Sequence, residues 1–293
     1  GLGTGAAFRM NGCNLVNLDA ALCLYGTFDQ AFGYGITTTT EPLVVNADNY
    51  YSVDSINHEN VELKNWTISS AIGSTNEIIT QTMFQNCNRF NGDVSGWTIT
   101  DPTSMHKMFN ECHYFRGKGL STWQIISNND SQPYRMDYMF YKCYHLGLKT
   151  NIDLSSSSSN TSGGNWDYTK CNNLNLAFYN CRRLGLGTGA AFRMNGCNLV
   201  NLYEGTYGGL YGMFEDAFGY GITSSTSNAD DFYSVGSINS ENVELKNWTI
   251  SSATGSIKGI GMQIMFQNCY RFDGDVSGWT IRSPKINLHK VFN

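Results

Sequence analysis

One segment of the chain reads Met83-Phe84-Gln85-Asn86-Cys87-Asn88-Arg89-Phe90-Asn91-Gly92-Asp93-Val94-Ser95-Gly96-Trp97-Thr98-Ile99. It recurs at 265–281 with two substitutions, and more divergent copies of it lie at 27–32, 108–125, 139–154, 177–184 and 213–218. The phenylalanine at its second position recurs after 25 residues, from Phe84 to Phe109, and after 26, from Phe266 to Phe292. A period in the twenties predicts one supersecondary unit per repeat, stacked on its neighbours.

The first half of the segment predicts a short helix and the second half a strand. Apolar residues at i, i+1, i+4 and i+7 form one stripe at helical spacing: Met83, Phe84, Cys87 and Phe90. Asn91-Gly92-Asp93 predicts a turn, because Gly and Asn tolerate left-handed backbone. Residues 94–99 then predict a strand with Trp97 and Ile99 on one face. We therefore expect a repeat solenoid of mixed β structure, with one short strand and one short helix per repeat.

The pattern Met-Phe-x-x-Cys/Ala-x-x-Phe-x-x-Asp-x-Ser-x-Trp resembles the bacterial surface protein repeat family known as DUF285, which is related in style to BspA-type leucine-rich repeats. The match is good at 83–99, 108–125 and 265–281, and the long intervening segments lie outside it. The resemblance implies a leucine-rich-repeat-like solenoid that is extracellular or at the cell surface and serves adhesion or surface display. It transfers no catalytic residue.

A longer repeat in the sequence contains several of the short ones. Residues 1–18 are identical to 185–202, and 59–71 are identical to 241–253. The offsets are 184 and 182, so the larger unit spans about 183 residues. We assign 1–184 to a first superrepeat and 185–293 to a partial second one, continuous with the first. Because both ends fall inside the superrepeat, we expect a window of a longer array or a subunit that continues into its neighbour.

Composition excludes several classes of protein. Charged residues are 15% of the chain and the net charge is −5, which makes nucleic acid an unfavoured partner. No apolar run approaches the ~18 residues that a membrane-spanning helix needs.

Nine cysteines mostly follow the repeat. Most occupy the apolar stripe or lie near it, and Ala31 and Ala217 replace cysteine there, so a column of buried thiols is the plainer interpretation. Disulfides between adjacent repeats are also feasible at the ~4.8 Å spacing of strands. Cys23 and Cys171 lie off the stripe and are the better disulfide candidates.

Four sequons make N-glycosylation a candidate modification, at Asn65, Asn129, Asn160 and Asn247. With Trp66 and Ile68 buried in a strand, Asn65 and Thr67 should both face outward, as glycosylation requires. Asn247 and Thr249 repeat that arrangement. Because Asn, Ser and Thr are abundant in the chain, chance sequons are the alternative explanation.

The sequence predicts no enzyme, metal or cofactor site. The five histidines lack the spacing of metal ligands, and no Ser-His-Asp or Cys-His arrangement stands out. Residues 1–6 match a dinucleotide-type glycine pattern, yet the equivalent copy at 185–190 is preceded by Arg182-Arg183-Leu184 rather than by a buried strand. Asp93 and Asp275 predict turn hydrogen bonds in preference to calcium binding.

The function predicted first is structural. Identical units make identical interfaces, and an unclosed head-to-tail contact propagates, so we expect an extracellular filament, sheath or surface array built by end-to-end stacking or lateral assembly of copies. The alternative is a cell-surface adhesin or a module that binds a glycan or a protein.

Overall fold

A computed structural model describes most of the repeats. The described residues are 7–18, 24–32, 61–70, 78–128, 132–148, 150–157, 159, 162–185, 190–203, 208–220, 242–253 and 259–293. Cys23, Asn129 and Asn160 lie outside them.

Nineteen short strands in these residues fall into three sets by their place in the repeat. The first set is β1 (Phe8–Arg9), β3 (Val61–Glu62), β10 (Ile152–Asp153), β13 (Phe192–Arg193) and β15 (Val243–Glu244). The middle set is β2 (Asn14–Leu18), β4 (Thr67–Ser70), β6 (Thr98–Thr100), β8 (Gln124–Ile126), β11 (Asn165–Trp166), β14 (Asn198–Leu202), β16 (Thr249–Ser252) and β18 (Thr280–Arg282). The third set is β5 (Ile78–Ile79), β7 (Pro102–Ser104), β9 (Tyr134–Arg135), β12 (Cys171–Asn173), β17 (Ile260–Gly261) and β19 (Ile286–Asn287).

Every strand pairs in parallel with the strand of its own set in a neighbouring repeat. The middle set forms one sheet in the order β11-β8-β6-β4-β2 and another in the order β14-β16-β18. The third set forms β12-β9-β7-β5 and β17-β19, and the first set forms β1-β3 and β10-β13-β15. The register aligns the repeats residue by residue, since Ile68 pairs with Ile99 and Ile99 with Ile125. Parallel pairing of equivalent positions is what a stacked repeat predicts.

The predicted helix in each repeat is wrong. Within the described residues the helical structure is a single 3-10 turn at Leu120–Thr122. In the segment that opens at Met83, the amides of Gln85 and Cys87 bond three residues back, to the carbonyls of Thr82 and Phe84. The amides of Phe84 and Asn86 instead bond to the next repeat, at Met108 and Asn110, both at 2.8 Å. Consecutive turns tied to a neighbour therefore replace the i to i−4 bonds of a helix.

The turns place the apolar stripe inward as the sequence predicts. Met83, Phe84, Cys87 and Phe90 are all fully buried. The turn predicted at Asn91-Gly92-Asp93 is not left-handed: a Cβ on Gly92 would lie 2.7 Å from the Phe90 ring, so close packing explains the glycine. Within the segment 83–99, the left-handed glycine is Gly96, at φ 72°.

Eight phenylalanines, one from each repeat, form a continuous column of rings. Their neighbouring centroids are 5.0–5.6 Å apart and their planes lie within 21° of parallel. The members are Phe28, Phe84, Phe109, Phe140, Phe178, Phe214, Phe266 and Phe292. The column runs across the boundary between the two superrepeats, from Phe178 to Phe214.

Tryptophans form a second column under the middle set of strands. Trp66, Trp97, Trp123 and Trp166 stack at 4.9, 5.0 and 5.5 Å with planes within 2°, and Trp248 stacks on Trp279 at 4.8 Å. Each indole N–H donates to a backbone carbonyl of the preceding repeat, as Trp123 does to Val94 at 2.7 Å. The buried polar edge of each indole is thereby satisfied by its neighbour, which couples packing to register.

Among the described residues, no helix has the length and apolar character needed to cross a membrane.

Candidate functional site

The cysteines of the repeat form a ladder of buried thiols. In five repeats the Sγ atom donates a hydrogen bond of 2.8–3.1 Å to the carbonyl of the column phenylalanine in the preceding repeat. The donors are Cys87, Cys112, Cys143, Cys181 and Cys269. All eight described cysteines are free thiols. Cys171, a predicted disulfide candidate, is buried in β12, and the other candidate, Cys23, is outside the described residues.

Burial keeps these thiols protonated by raising their pKa values. Desolvation raises the pKa of Cys87 to about 12 and that of Cys171 to about 12. It raises the pKa of Cys112 and Cys181 far above the ordinary thiol value as well. Because the thiolate is the nucleophile and the metal ligand, the ladder is suited to packing and not to catalysis.

Two of the four sequons lie in described residues. Asn65 and Asn247 are exposed, and the tryptophan that follows each is buried. Both asparagines have left-handed backbone, with φ of 57° and 59°, and precede their strands rather than lie in them. Each side chain lies over a glycine of the next repeat, since a Cβ on Gly96 would meet Asn65 Oδ1 at 2.3 Å. Glycosylation of these sites stays a prediction.

A histidine–carboxylate pair that sequence inspection missed spans two repeats. His106 Nδ1 lies 2.8 Å from Asp137 Oδ2, and Arg135 Nε donates to Asp137 Oδ1 at 2.5 Å. The pKa of Asp137 is lowered: burial opposes this, but hydrogen bonds from His106 and Arg135 outweigh it. The two residues are 31 positions apart, and only the stacking of equivalent turns brings them together.

Tyrosines extend from this pair along the turns. The Tyr138 ring lies 5.8 Å from the His106 ring and 5.4 Å from Tyr141, which stacks on Tyr179 at 4.7 Å. Further along, Glu215 sits beside Asp216, and burial raises the pKa of Glu215 to about 7.

A second set of side chains occupies the two positions after each ladder cysteine, and we call it the basic edge. It comprises residues 88–89, 113–114, 144–145, 182–183 and 270–271. Asn88, Arg89 and Tyr114 are buried, and the other members are at least partly exposed. These ten positions hold four arginines, two histidines, three tyrosines and one asparagine, and no aspartate or glutamate. In a chain whose net charge is −5, this is a local reversal of sign.

Cations and rings alternate along the basic edge. His113 stacks on Tyr144 at 4.7 Å, and Arg182 lies over Tyr144 at 4.9 Å. Arg182 also lies over Tyr220 at 5.5 Å, which places its guanidinium between two rings. In the parallel row, Arg89 lies over Tyr114 at 5.1 Å and Tyr114 stacks on His145 at 4.7 Å. Cation–π contacts of this kind hold arginine planes in fixed orientations.

The pKa values of the two histidines at the basic edge are lowered by burial and by nearby cations. Burial first, and then the charges of Lys142, Arg89 and Arg182, lower the pKa of His113 to about 4. Burial, Arg183 and Arg116 likewise lower the pKa of His145 to about 3, against a backbone hydrogen bond that raises it. Both imidazoles are therefore neutral near pH 7, and the charge of the edge comes from arginine.

Outside the basic edge, carboxylates of neighbouring repeats form ion pairs with lysine side chains. Lys64 bridges Glu62 at 3.2 Å and Asp93 at 3.8 Å, and Lys118 reaches Asp93 at 3.2 Å. The second superrepeat repeats this with Lys246, which bridges Glu244 at 2.9 Å and Asp275 at 3.7 Å. Asp93 and Asp275 also accept amide hydrogen bonds from the serines two residues on, the turn role that we predicted. In the described part of the chain, no three potential ligands cluster to hold a metal ion.

Comparison with known proteins identifies the family without identifying a function. A family model described as Mycoplasma protein of unknown function, DUF285, matches residues 44–153, 80–189 and 210–293. No curated protein and no solved structure matches the chain. Because the three matches together cover most of the sequence, the chain belongs to the DUF285 family.

Proposed function

We propose that this protein is a structural, extracellular repeat protein, a leucine-rich-repeat-like solenoid that assembles end to end into a filament, sheath or surface array. The observation that carries the proposal is the phenylalanine column, which joins eight repeats in the described part of the chain at 5.0–5.6 Å. A contact that works between any two neighbouring repeats inside the chain also works between repeats of two chains, provided that their faces are open.

The contacts between repeats inside the chain support this assembly. Met194 is fully buried against the preceding repeat, and Phe266 is 2% exposed between Phe214 and Phe292. An interface that repeats from unit to unit without closing is one that propagates.

Sedimentation velocity and negative-stain microscopy over a range of protein concentrations test the proposal. We expect rods that lengthen with concentration, and we expect Phe292→Asp to shift the population to single chains. Tyr203→Asp is the matched control, because Tyr203 is 63% exposed but lies off the column. A wild-type chain that stays single at every concentration, or equal assembly of the two variants, would contradict end-to-end stacking.

The second candidate function is that of a surface adhesin or binding module. A partly exposed row on the basic edge favours it, since His113, Tyr144 and Arg182 stack outside the buried core that joins the repeats.

A further inference from the structure

We propose that two copies of this chain join by exchanging repeats, so that the repeat at 61–90 of one copy packs on residues 192–219 of another. It takes the place of that copy's own repeat at 243–272. The inference deepens the proposed assembly and rests on it, because both require copies of this chain to associate. The contact is a different one, and the experiment separates the two.

Both partners of this contact occur twice in the chain. The acceptor repeats are residues 8–32 and 192–219, whose first parts belong to the identical segments 1–18 and 185–202. The docking repeats are residues 61–90 and 243–272. These two are identical over 61–71 and 243–253, and their turn segments 83–90 and 265–272 differ at one position. Each acceptor repeat therefore finds nearly the same partner surface in either docking repeat.

The structure uses the two copies of the contact in one register. The corresponding strand pairs are Phe8–Val61 with Phe192–Val243, and Asn14–Thr67 with Asn198–Thr249. In the turns, Cys87 Sγ donates to the Phe28 carbonyl at 2.8 Å, and Cys269 Sγ donates to the Phe214 carbonyl at 2.9 Å. A docking repeat moved from one acceptor to the other would meet the same partners.

Polar side chains specify the contact in the same way in both copies. The amide of Lys64 donates to Asn11 Oδ1, and the amide of Lys246 donates to Asn195 Oδ1, each at 2.9 Å. Each asparagine also donates from Nδ2 to the glutamate of its docking repeat, at 3.1 and 3.0 Å. Exchange replaces each of these bonds by its equivalent, which makes it a low-cost route to association.

The connections permit exchange at this contact and not at the next one. Residues 33–60 join the first acceptor repeat to its docking repeat, and residues 220–242 join the second pair. Only Asn91 and Gly92 join the docking repeat 61–90 to the strand position at Asp93. Because a chain spans at most about 3.3–3.6 Å per residue, only the longer connections can reach a repeat of another copy.

Exchange in this register lengthens the stack of repeats. One copy supplies its repeats up to residue 219, and the other supplies its repeats from Val61 onward. The displaced parts, 8–32 of the second copy and 243–293 of the first, can pack together through the equivalent contact. Every contact that is lost is therefore replaced, and the remaining cost is the entropy of association, which high protein concentration reduces.

The test mixes two variants of the whole chain, Asn198→Cys and Thr67→Cys, each also carrying Phe292→Asp to prevent end-to-end stacking. Within one chain Thr67 pairs with Asn14, and Asn198 pairs with Thr249, so only the proposed exchange brings positions 67 and 198 together. Both positions are at least partly exposed. The mixture is unfolded and refolded at high concentration and then treated with oxidised glutathione. We expect a disulfide between the two chains, identified by mass spectrometry of the linked peptides.

Gln124→Cys replaces Thr67→Cys in the control mixture. Gln124 occupies the same place in the middle sheet, paired with Thr98, but its repeat lacks the sequence shared by the docking repeats. We expect at least roughly tenfold less linked dimer from the control, the ratio that a mismatch of about 1.4 kcal/mol produces. A third mixture, Asn198→Cys with Thr249→Cys, measures exchange in the original register and should give a similar yield to the first.

Circular dichroism establishes that each variant is folded. If Asn198→Cys does not fold, Asn14→Cys with Thr249→Cys tests the reciprocal contact between the displaced parts. The inference is overturned if positions 67 and 198 link no more than the control. It is also overturned if positions 198 and 249 link between chains while positions 67 and 198 do not. Because both chains carry Phe292→Asp, neither result depends on whether chains stack end to end.

Discussion

Left-handed backbone at ordinary residues recurs in every complete turn segment. Thr82 has φ 56° and Asn86 φ 59°, and the same two positions are left-handed at Lys107 and Glu111. Gly26 and Gly212 occupy the position of Thr82 in other repeats, at φ 61° and 55°. Side chains with a Cβ are strained there by about 1–2 kcal/mol, most of all when β-branched. The backbone hydrogen bonds between repeats maintain this strained conformation.

Thr82→Gly should therefore raise the free energy of unfolding by about 0.5–1 kcal/mol, because relief of strain exceeds the entropy cost of glycine. Gln85→Gly, three residues on at negative φ, should lower it by about 0.5–1 kcal/mol. Denaturant-induced unfolding measures both. Equal losses at the two positions would show that the left-handed conformation is not strained.

At the scale of the element, the tryptophan column explains why the middle strands keep register. Trp97 and Trp279 lie in the identical sequence Asp-Val-Ser-Gly-Trp-Thr-Ile, and each indole donates to the carbonyl of the equivalent leucine, Leu63 or Leu245. Trp97 stacks on an indole at each face and is fully buried. Trp279 stacks only on Trp248 among the described rings and is half-buried.

This pair is a matched comparison of one residue in two environments. Trp97→Ala should cost about 3–5 kcal/mol of unfolding free energy, the range for a fully buried aromatic residue. Trp279→Ala should cost about half as much, because among the described residues only one face of its ring stacks on another indole. Chemical denaturation of both variants provides the measurement. Similar costs would mean that stacking between repeats adds little to burial within one.

The predicted helix failed at this same scale for a physical reason. Apolar residues at i, i+1, i+4 and i+7 fit a helical stripe, and Met83, Phe84, Cys87 and Phe90 are buried as that stripe requires. Successive three-residue turns bring the same positions inward. The helix and the chain of turns differ only in their backbone hydrogen bonds. In the turns, every second amide donates to a carbonyl of a neighbouring repeat. A local pattern carries no information about such a partner.

For the whole molecule, the raised pKa values of the buried thiols predict that the free energy of unfolding falls steeply at alkaline pH. Burial raises the pKa of seven cysteines above the ordinary thiol value of about 8.5: Cys87, Cys112, Cys143, Cys171, Cys181, Cys197 and Cys269. The unfolded chain therefore loses thiol protons at a lower pH than the folded one. Stability is complete below about pH 8.5 and falls above it by about 1.4 kcal/mol per pH unit for each thiol.

Urea unfolding at a series of pH values from 7 to 10 measures this loss of stability. We expect the unfolding free energy to be steady below about pH 8.5 and to fall steeply above it. Replacing Cys112, Cys143 and Cys181 with alanine, the residue that stands in this slot at Ala31 and Ala217, should lessen the slope. If the triple replacement leaves this pH dependence unchanged, groups other than these thiols cause the loss of stability at alkaline pH.

The amino-acid pattern was enough to predict the repeat, its period and the inward set of side chains, because identical residues at a fixed period must meet identical surroundings. The parallel register and the two aromatic columns follow from that identity. The backbone conformation between the buried residues, and the polar contacts across repeats, became apparent from the fold. His106 and Asp137, or Tyr144 and Arg182, are neighbours because a turn of one repeat lies over the same turn of the next. Contacts of that kind depend on the stacking distance, which no single repeat encodes.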